Sequence, residues 1–180
     1  VTDVGQHQMW CDQYLRHEKT RHFLTSGGLG TMGFCLPAAI GASFAEKERP
    51  ICAFMGDGGL QMVIQELGTI IENQCPVKIV LMNNNFLGNV RQWQNMFFHK
   101  RYAFTHMLNP DYSKVCAAYG IPYLCVKDRK ELKAAVEQML QTKGPFFLET
   151  VIKEEDDVMP MTAPGCSVSE MMLEKPEENS

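Results

Sequence analysis

Apolar residues along this chain gather into short unbroken runs separated by longer stretches of helical periodicity. The runs cover 51–55 (ICAFM), 77–82 (VKIVLM), 122–126 (PYLCV) and 146–152 (FFLETVI). A run without polar alternation, such as VKIVLM, is the mark of a strand covered on both faces. A shorter strand is predicted at 22–24, ending in the turn Ser26-Gly27-Gly28. Between the runs the spacing predicts helices. Asp3 is placed to cap a first helix through Met9, Trp10 and Leu15. The small apolar stretch 33–45 predicts a tightly packed helix, with Pro37 near its first turn, where a missing N–H is tolerated. Further helices are predicted at 61–73, at 90–98, from the cap Asp111 to Tyr119, and from the cap Asp128 to Leu140.

Strands alternating with helices of this length imply right-handed crossovers and a parallel sheet. The fold class is therefore α/β: a three-layer domain with a central, mainly parallel sheet flanked by helices. Residues 1–153 form this domain. Residues 154–180 turn acidic and Pro-containing and read as a surface tail with one short ordered stretch. The chain opens at Val1 in sequence of mid-protein character, so a part of a longer protein is expected.

Composition narrows the partners. The 180 residues are 45% hydrophobic and 21% charged, which is globular rather than disordered. The net charge of −4 lacks the basic excess of a nucleic-acid binder. No apolar run approaches a membrane span. The seven cysteines are odd in number and form no CxxC pair, so they read as small hydrophobes in a reducing, cytoplasmic compartment. Arg91 and Arg101 read as solvated charges, and His99 and His106 carry no functional assignment.

In open α/β sheets ligands bind beyond the carboxyl ends of the strands. Three polar or glycine-rich turns fall there: TSGGLGTMG, MGDGG and MNNNFLGN. The first holds Gly28, Gly30 and Gly33 in GxGxxG spacing, which leaves a dinucleotide site of the NAD type as a competing reading. Asp57 points elsewhere. Glycines on both sides of it let the backbone approach a large anion closely. A carboxylate there would repel a diphosphate unless a cation bridged them, and Mg²⁺ is the hard ion suited to oxygen ligands. Asn84 ends the neighbouring strand and offers a neutral oxygen at the same edge.

Gly56-Asp57-Gly58, the 24 residues 59–82 and then Asn83-Asn84 resemble the thiamine-diphosphate motif. GQHQMW (5–10), SGGLGTMGFCLPAAIGA (26–42), IQELGTIIEN (64–73), PVKIVLMNN (76–84) and LGNVRQWQ (87–94) resemble the large subunit of the acetolactate synthase family, in its C-terminal cofactor domain. The resemblance implies that Asp57, the Asn84 side chain and the Phe86 backbone oxygen hold Mg²⁺. It implies diphosphate contacts from the backbone of Gly58 and Gly59 after Gly56, and from Gln6 and His7, with Val4 and Gly5 lining the site. Leu87, Gly88 and Asn89 complete the wall. The Gly30 carbonyl meets the aminopyrimidine, and Met32 is the wedge that bends the cofactor.

Val90 and Trp93 are the implied substrate-facing residues. The implied substrates are the 2-keto acids pyruvate and 2-ketobutyrate. The implied chemistry is decarboxylation of pyruvate and its condensation with a second 2-keto acid, in branched-chain amino-acid biosynthesis. A pyruvate oxidase, a decarboxylase or a glyoxylate carboligase is the nearer alternative. No catalytic residue is expected on this chain, because the activating glutamate of the family comes from an N-terminal domain across a subunit interface. A homodimer or higher oligomer, FAD in the full-length enzyme and a regulatory small subunit are further implications. Two positions depart from the family pattern: Asn89 stands where an apolar residue is usual, and Gly59 where Ser is common.

Overall fold

The computed structural model describes residues 1–163 and 165–174. Four strands, β1 (Ile51–Gly56), β2 (Val77–Asn83), β3 (Tyr123–Val126) and β4 (Phe146–Val151), form one sheet in the order β1-β2-β4-β3. Every pairing is parallel. β2 is central and is buried along almost its whole length, which explains its unbroken apolar run. Its single charge, Lys78, is accommodated at the sheet's lower edge. The ammonium donates to the carbonyls of Thr142 and Gly144, each at 2.6 Å.

The helices are α1 (Gln6–Tyr14), α2 (Cys35–Ala45), α3 (Asp57–Met62), α4 (Glu66–Glu72), α5 (Gly88–Phe97), α6 (Tyr112–Tyr119) and α7 (Leu132–Gln141). On one face of the sheet, Leu36, Ala39 and Ile40 of α2, Leu67 and Ile70 of α4 and Cys116 of α6 pack against Ala53, Met55, Ile79, Leu81 and Phe147. On the other, Ala135 and Met139 of α7 meet Val80, Val126, Phe146 and Leu148. These faces are the three layers expected from the sequence. No helix among the described residues is long and apolar enough to cross a membrane.

Three local expectations are corrected. Residues 22–24 form no strand of the sheet. Thr2 is instead the hinge of two single bridges, one to Thr25 and one to Phe54, so residues 1–3 extend the sheet beside β1. This placement pulls Asp3 away from α1, which starts at Gly5 without a side-chain cap. Asp3 instead accepts from the N–H groups of Val4 (2.8 Å), Gly33 (3.0 Å) and Cys35 (3.0 Å), and so caps α2. Finally, the helix expected at 61–73 is two helices. α3 starts at Asp57, directly on the end of β1, and a turn at 63–65 separates it from α4.

The caps Asp111 and Asp128 hold, Asp111 accepting from the N–H groups of Ser113 and Lys114. Asp128 opens a short 3-10 turn, Arg129–Glu131, ahead of α7. The tail has its ordered stretch, a bridge between Met161 and Met172 with a 3-10 turn at Val168–Glu170. Residues 175–180 lie outside the described residues.

Candidate functional site

The carboxyl ends of β1 and β2 stand side by side, with Gly56 paired to Met82. The chain leaves β1 directly into α3, so Asp57, Gly58 and Gly59 form that helix's first turn. It leaves β2 through Asn83, Asn84 and Asn85 into α5. Asn85 takes a left-handed φ of 59°, which sharpens the turn. The Asn84 amide oxygen accepts from the N–H of Phe86 at 3.1 Å. A returning loop braces the same turn: Leu87 N–H donates to Thr105, and Met107 N–H to Asn85, each at 2.8 Å. α1 runs in from the β1 side with Gln6 and His7 buried at its start.

These segments enclose a cavity of about 220 Å³. Every residue expected at the cofactor lines it: Val4, Gly5, Gln6 and His7; Gly30 and Met32; Gly56, Asp57, Gly58 and Gly59; and Asn84, Phe86, Leu87, Gly88 and Asn89. Of the two substrate-facing expectations, Val90 lines it and Trp93 does not. Trp93 sits further along α5, edge-on to Phe97 with ring centroids 6.0 Å apart.

Trp10, Met82 and Ile152 line the cavity without having been expected there. Trp10 follows Gln6 by one helical turn, so its helical spacing carried the signal. Asn109 was also missed. Its amide donates to Asp57 at 2.8 Å across 52 residues of chain, and no local pattern marks such a partner.

The glycines are there for close approach. A Cβ on Gly58 would lie 2.6 Å from Leu87 and 3.2 Å from the Met32 methyl. One on Gly88 would lie 2.2 Å from the Gln6 oxygen. At Gly59, the position where Ser is common in the family, the space for a side chain is taken by the Asp3 carboxylate at 2.5 Å.

The buried charges are set by their surroundings. Burial raises the Asp57 pKa above the ordinary carboxylate value, and hydrogen bonds from the Asn109 amide and the Gly58 N–H partly offset this. Burial lowers His7 to about 4 against the nearby charge of Asp3, so the imidazole is neutral at pH 7. Its Nε2 is buried and has no hydrogen-bond partner, and the same is true of the Asn89 side-chain oxygen. Both residues line the cavity, and unpaired groups of this kind favour a polar ligand.

Gln6 is committed differently. Its Nε2 donates to Gln92 at 2.9 Å and to the Asp156 carbonyl at 3.0 Å. Arg91 is a correction, because it is buried rather than solvated. Its guanidinium lies 4.9 Å from the Phe86 and Tyr102 ring centres and donates to the Glu154 carbonyl at 2.8 Å. Arg91 and Gln92 thus fasten residues 154–158 onto α5 beside the site. Asn95 adds a bond to Asp157.

The residues present fit a metal diphosphate. Asp57, Asn84 and Phe86 line the one cavity and between them carry a carboxylate, an amide oxygen and a backbone oxygen, the ligand type Mg²⁺ selects. Gly58 and Gly59, in the first turn of α3, line the same cavity and bring no side chains to it. Among the described residues no group of three or more His, Cys, Asp or Glu side chains could hold a metal, so a cation here depends on amide and backbone oxygens beside one carboxylate.

A cavity of this make-up, at the carboxyl edge of a parallel sheet, defines a phosphate-anchored cofactor domain. The family of thiamine pyrophosphate enzymes, in its C-terminal TPP binding domain, matches residues 3–150, and the chain belongs to that family. This assignment retires the NAD-type reading of the GxGxxG turn.

Among its relatives is the acetolactate synthase isozyme 2 large subunit of Escherichia coli (strain K12). It is 46% identical over 173 residues, covering 96% of this chain and 32% of that protein. The acetolactate synthase large subunit of Pyropia yezoensis is 42% identical over 183 residues, covering 100% of this chain and 31% of that protein. The mitochondrial acetolactate synthase catalytic subunit of Saccharomyces cerevisiae is 43% identical over 177 residues, covering 98% of this chain and 26% of that protein. The chain thus spans about a third or less of these relatives' length.

Proposed function

We propose that this chain is the cofactor-holding part of an acetolactate synthase, a transferase that condenses two 2-keto acids. Asp57, the Asn84 oxygen and the Phe86 carbonyl hold Mg²⁺. The Gly58 and Gly59 amides and His7 Nε2 face the diphosphate. The Gly30 carbonyl takes the aminopyrimidine, and Met32, whose methyl reaches over Gly58, sets its angle to the thiazolium. When bound, thiamine diphosphate supplies the carbon nucleophile and electron sink for decarboxylating pyruvate. The chain's residues bind and orient it and keep water from its reacting face. Val90 and Asn89 line the wall on the substrate side.

The observation that carries this reading is the coincidence of one cavity with every expected cofactor residue. The chain's similarity to acetolactate synthase subunits supports the acceptor chemistry. Leu29, next to Gly30, is 94% exposed and Leu108, next to Asn109, is 90% exposed. Apolar side chains this open beside the cavity support a covering domain, within a homodimer or larger assembly that supplies the activating glutamate. FAD and a regulatory small subunit belong to that assembly, and the free thiols suit a reducing, cytoplasmic setting.

The test is product analysis of the assembled protein with pyruvate, thiamine diphosphate and Mg²⁺. The expected product is 2-acetolactate, joined by 2-aceto-2-hydroxybutyrate when 2-ketobutyrate is added. Acetaldehyde or acetate alone would contradict the reading and point to a decarboxylase or an oxidase.

A further inference from the structure

Asn109 is the hub of a polar chain that crosses the whole sheet. Its Nδ2 lies 2.8 Å from Asp57 Oδ2, 2.9 Å from Asn83 Oδ1 and 3.0 Å from Asn85 Oδ1. Its Oδ1 accepts from Gln61 Nε2 at 2.6 Å and from the Tyr112 hydroxyl at 3.2 Å. Beyond it, Asn83 Nδ2 donates to Glu149 Oε1 at 2.6 Å, and the other Glu149 oxygen accepts from the Tyr123 hydroxyl. Tyr123, Glu149 and Asn83 lie in β3, β4 and β2, and Asp57 follows β1.

The directions of these bonds are forced. The Asn83 amide donates to Glu149 and the Asn109 amide to Asp57, so the carboxylates at both ends of the chain accept. Glu149 takes the Asn83 amide hydrogens and turns the Asn83 oxygen toward Asn109. Asn109 then presents its NH₂ to Asp57, Asn83 and Asn85, two hydrogens shared among three acceptors, and its oxygen to Tyr112 and Gln61. Each amide has one orientation, and the plane of the Asp57 carboxylate is tied to the rigid centre of the sheet.

We propose that Asn109 is a positioning residue for Asp57. By occupying Oδ2 it fixes the plane in which the carboxylate offers its remaining lone pairs to a divalent cation. This rests on the reading that Asp57 holds Mg²⁺. Mg²⁺ demands near-ideal octahedral geometry, whereas Ca²⁺ tolerates irregular coordination. A carboxylate released from its brace therefore penalises Mg²⁺ more than Ca²⁺.

The experiment is calorimetric titration of thiamine diphosphate into the assembled protein across a range of Mg²⁺, and separately of Ca²⁺. In Asn109→Ala the Mg²⁺ concentration for half-maximal binding is expected to rise about 10–100-fold, the usual effect of losing a partner of a metal ligand. The Ca²⁺ requirement is expected to rise much less. Equal weakening with both ions would mean a merely structural role and would overturn the proposal, as would no change with either. If the unmodified protein bound thiamine diphosphate without any metal, the reading of Asp57 itself would fall, and the positioning role with it. Should Asn109→Ala fail to fold, Tyr112→Phe removes one donor that orients the Asn109 oxygen. It is expected to shift the Mg²⁺-to-Ca²⁺ ratio in the same direction, and an unchanged ratio would overturn the proposal.

Discussion

Burial in the cavity links the charge states of Asp57 and His7 to the stability of the cofactor-free protein. Asp57 is 1% exposed, and burial raises its pKa, so ionising it at neutral pH destabilises the cofactor-free fold. The native state then binds more protons than the unfolded one just above the ordinary carboxylate range, and stability falls as pH rises through that window. Asp57→Asn removes this penalty. It is expected to flatten the fall of stability above the carboxylate range in the cofactor-free protein, while abolishing metal-dependent cofactor binding. Thermal melts with and without Mg²⁺ and thiamine diphosphate check both halves.

His7 has the opposite sign. Its pKa is lowered from 6.5 to about 4, so between those values the unfolded chain takes up a proton that the native state refuses. Its contribution is fully present above pH 6.5 and is lost as pH falls toward 4, at about 1.4 kcal/mol per pH unit within the window. Urea melts of the wild type and His7→Gln at pH 7 and pH 4.5 should show a shallower acid loss in the variant.

The cavity-lining residues of the three turns were legible because their types are chemically specific. An acid between glycines and an asparagine at the end of the next apolar run leave few alternatives. Asn109 and Gln92 were not legible. They act through partners 52 and 66 residues distant, and nothing local distinguishes them from solvated amides.

Elements carry the next layer of the account. Asp3 was read as the cap of the nearest helix, and sheet pairing of residues 1–3 sends it to α2 instead. Local propensity located the capping residue but not the helix it serves, since a cap follows the backbone's path in space. Asp3→Ala leaves three N–H donors without their acceptor and is expected to cost about 1–2 kcal/mol, read by chemical denaturation.

The strap at 154–158 is the second such case. Composition marked it as acidic surface, yet Gln92, fully buried, pairs with both backbone groups of Val158 at 2.9 and 3.0 Å. Gln92→Ala breaks that pairing and leaves the backbone groups of a buried residue unsatisfied, at about 1–3 kcal/mol. Trypsin is expected to cut at the exposed Lys153 faster in this variant than in the wild type, with cleavage at Arg101 as the internal control.

At the scale of the molecule, periodicity sufficed for the sheet and its layers. β2 reads as an apolar run broken only by Lys78 because helices cover it on both sides, which accounts for its burial and for the parallel class. The break between α3 and α4 was not legible, because Val63 is as compatible with helix as its neighbours. The turn there packs Val63 against the Gly33 backbone, where a Cβ would come within 3.0 Å. The architecture explains the site's location: crossovers place every βα turn at one edge, and the turns after the paired strands β1 and β2 meet there. It also leaves that edge open, with Leu29 and Leu108 exposed beside it.

The most direct test is calorimetric titration of the assembled protein with thiamine diphosphate, with and without Mg²⁺, beside Asp57→Ala. The expected result is binding that requires the metal and disappears in the variant. Binding that is indifferent to Mg²⁺, or that survives the loss of the Asp57 carboxylate, would contradict it.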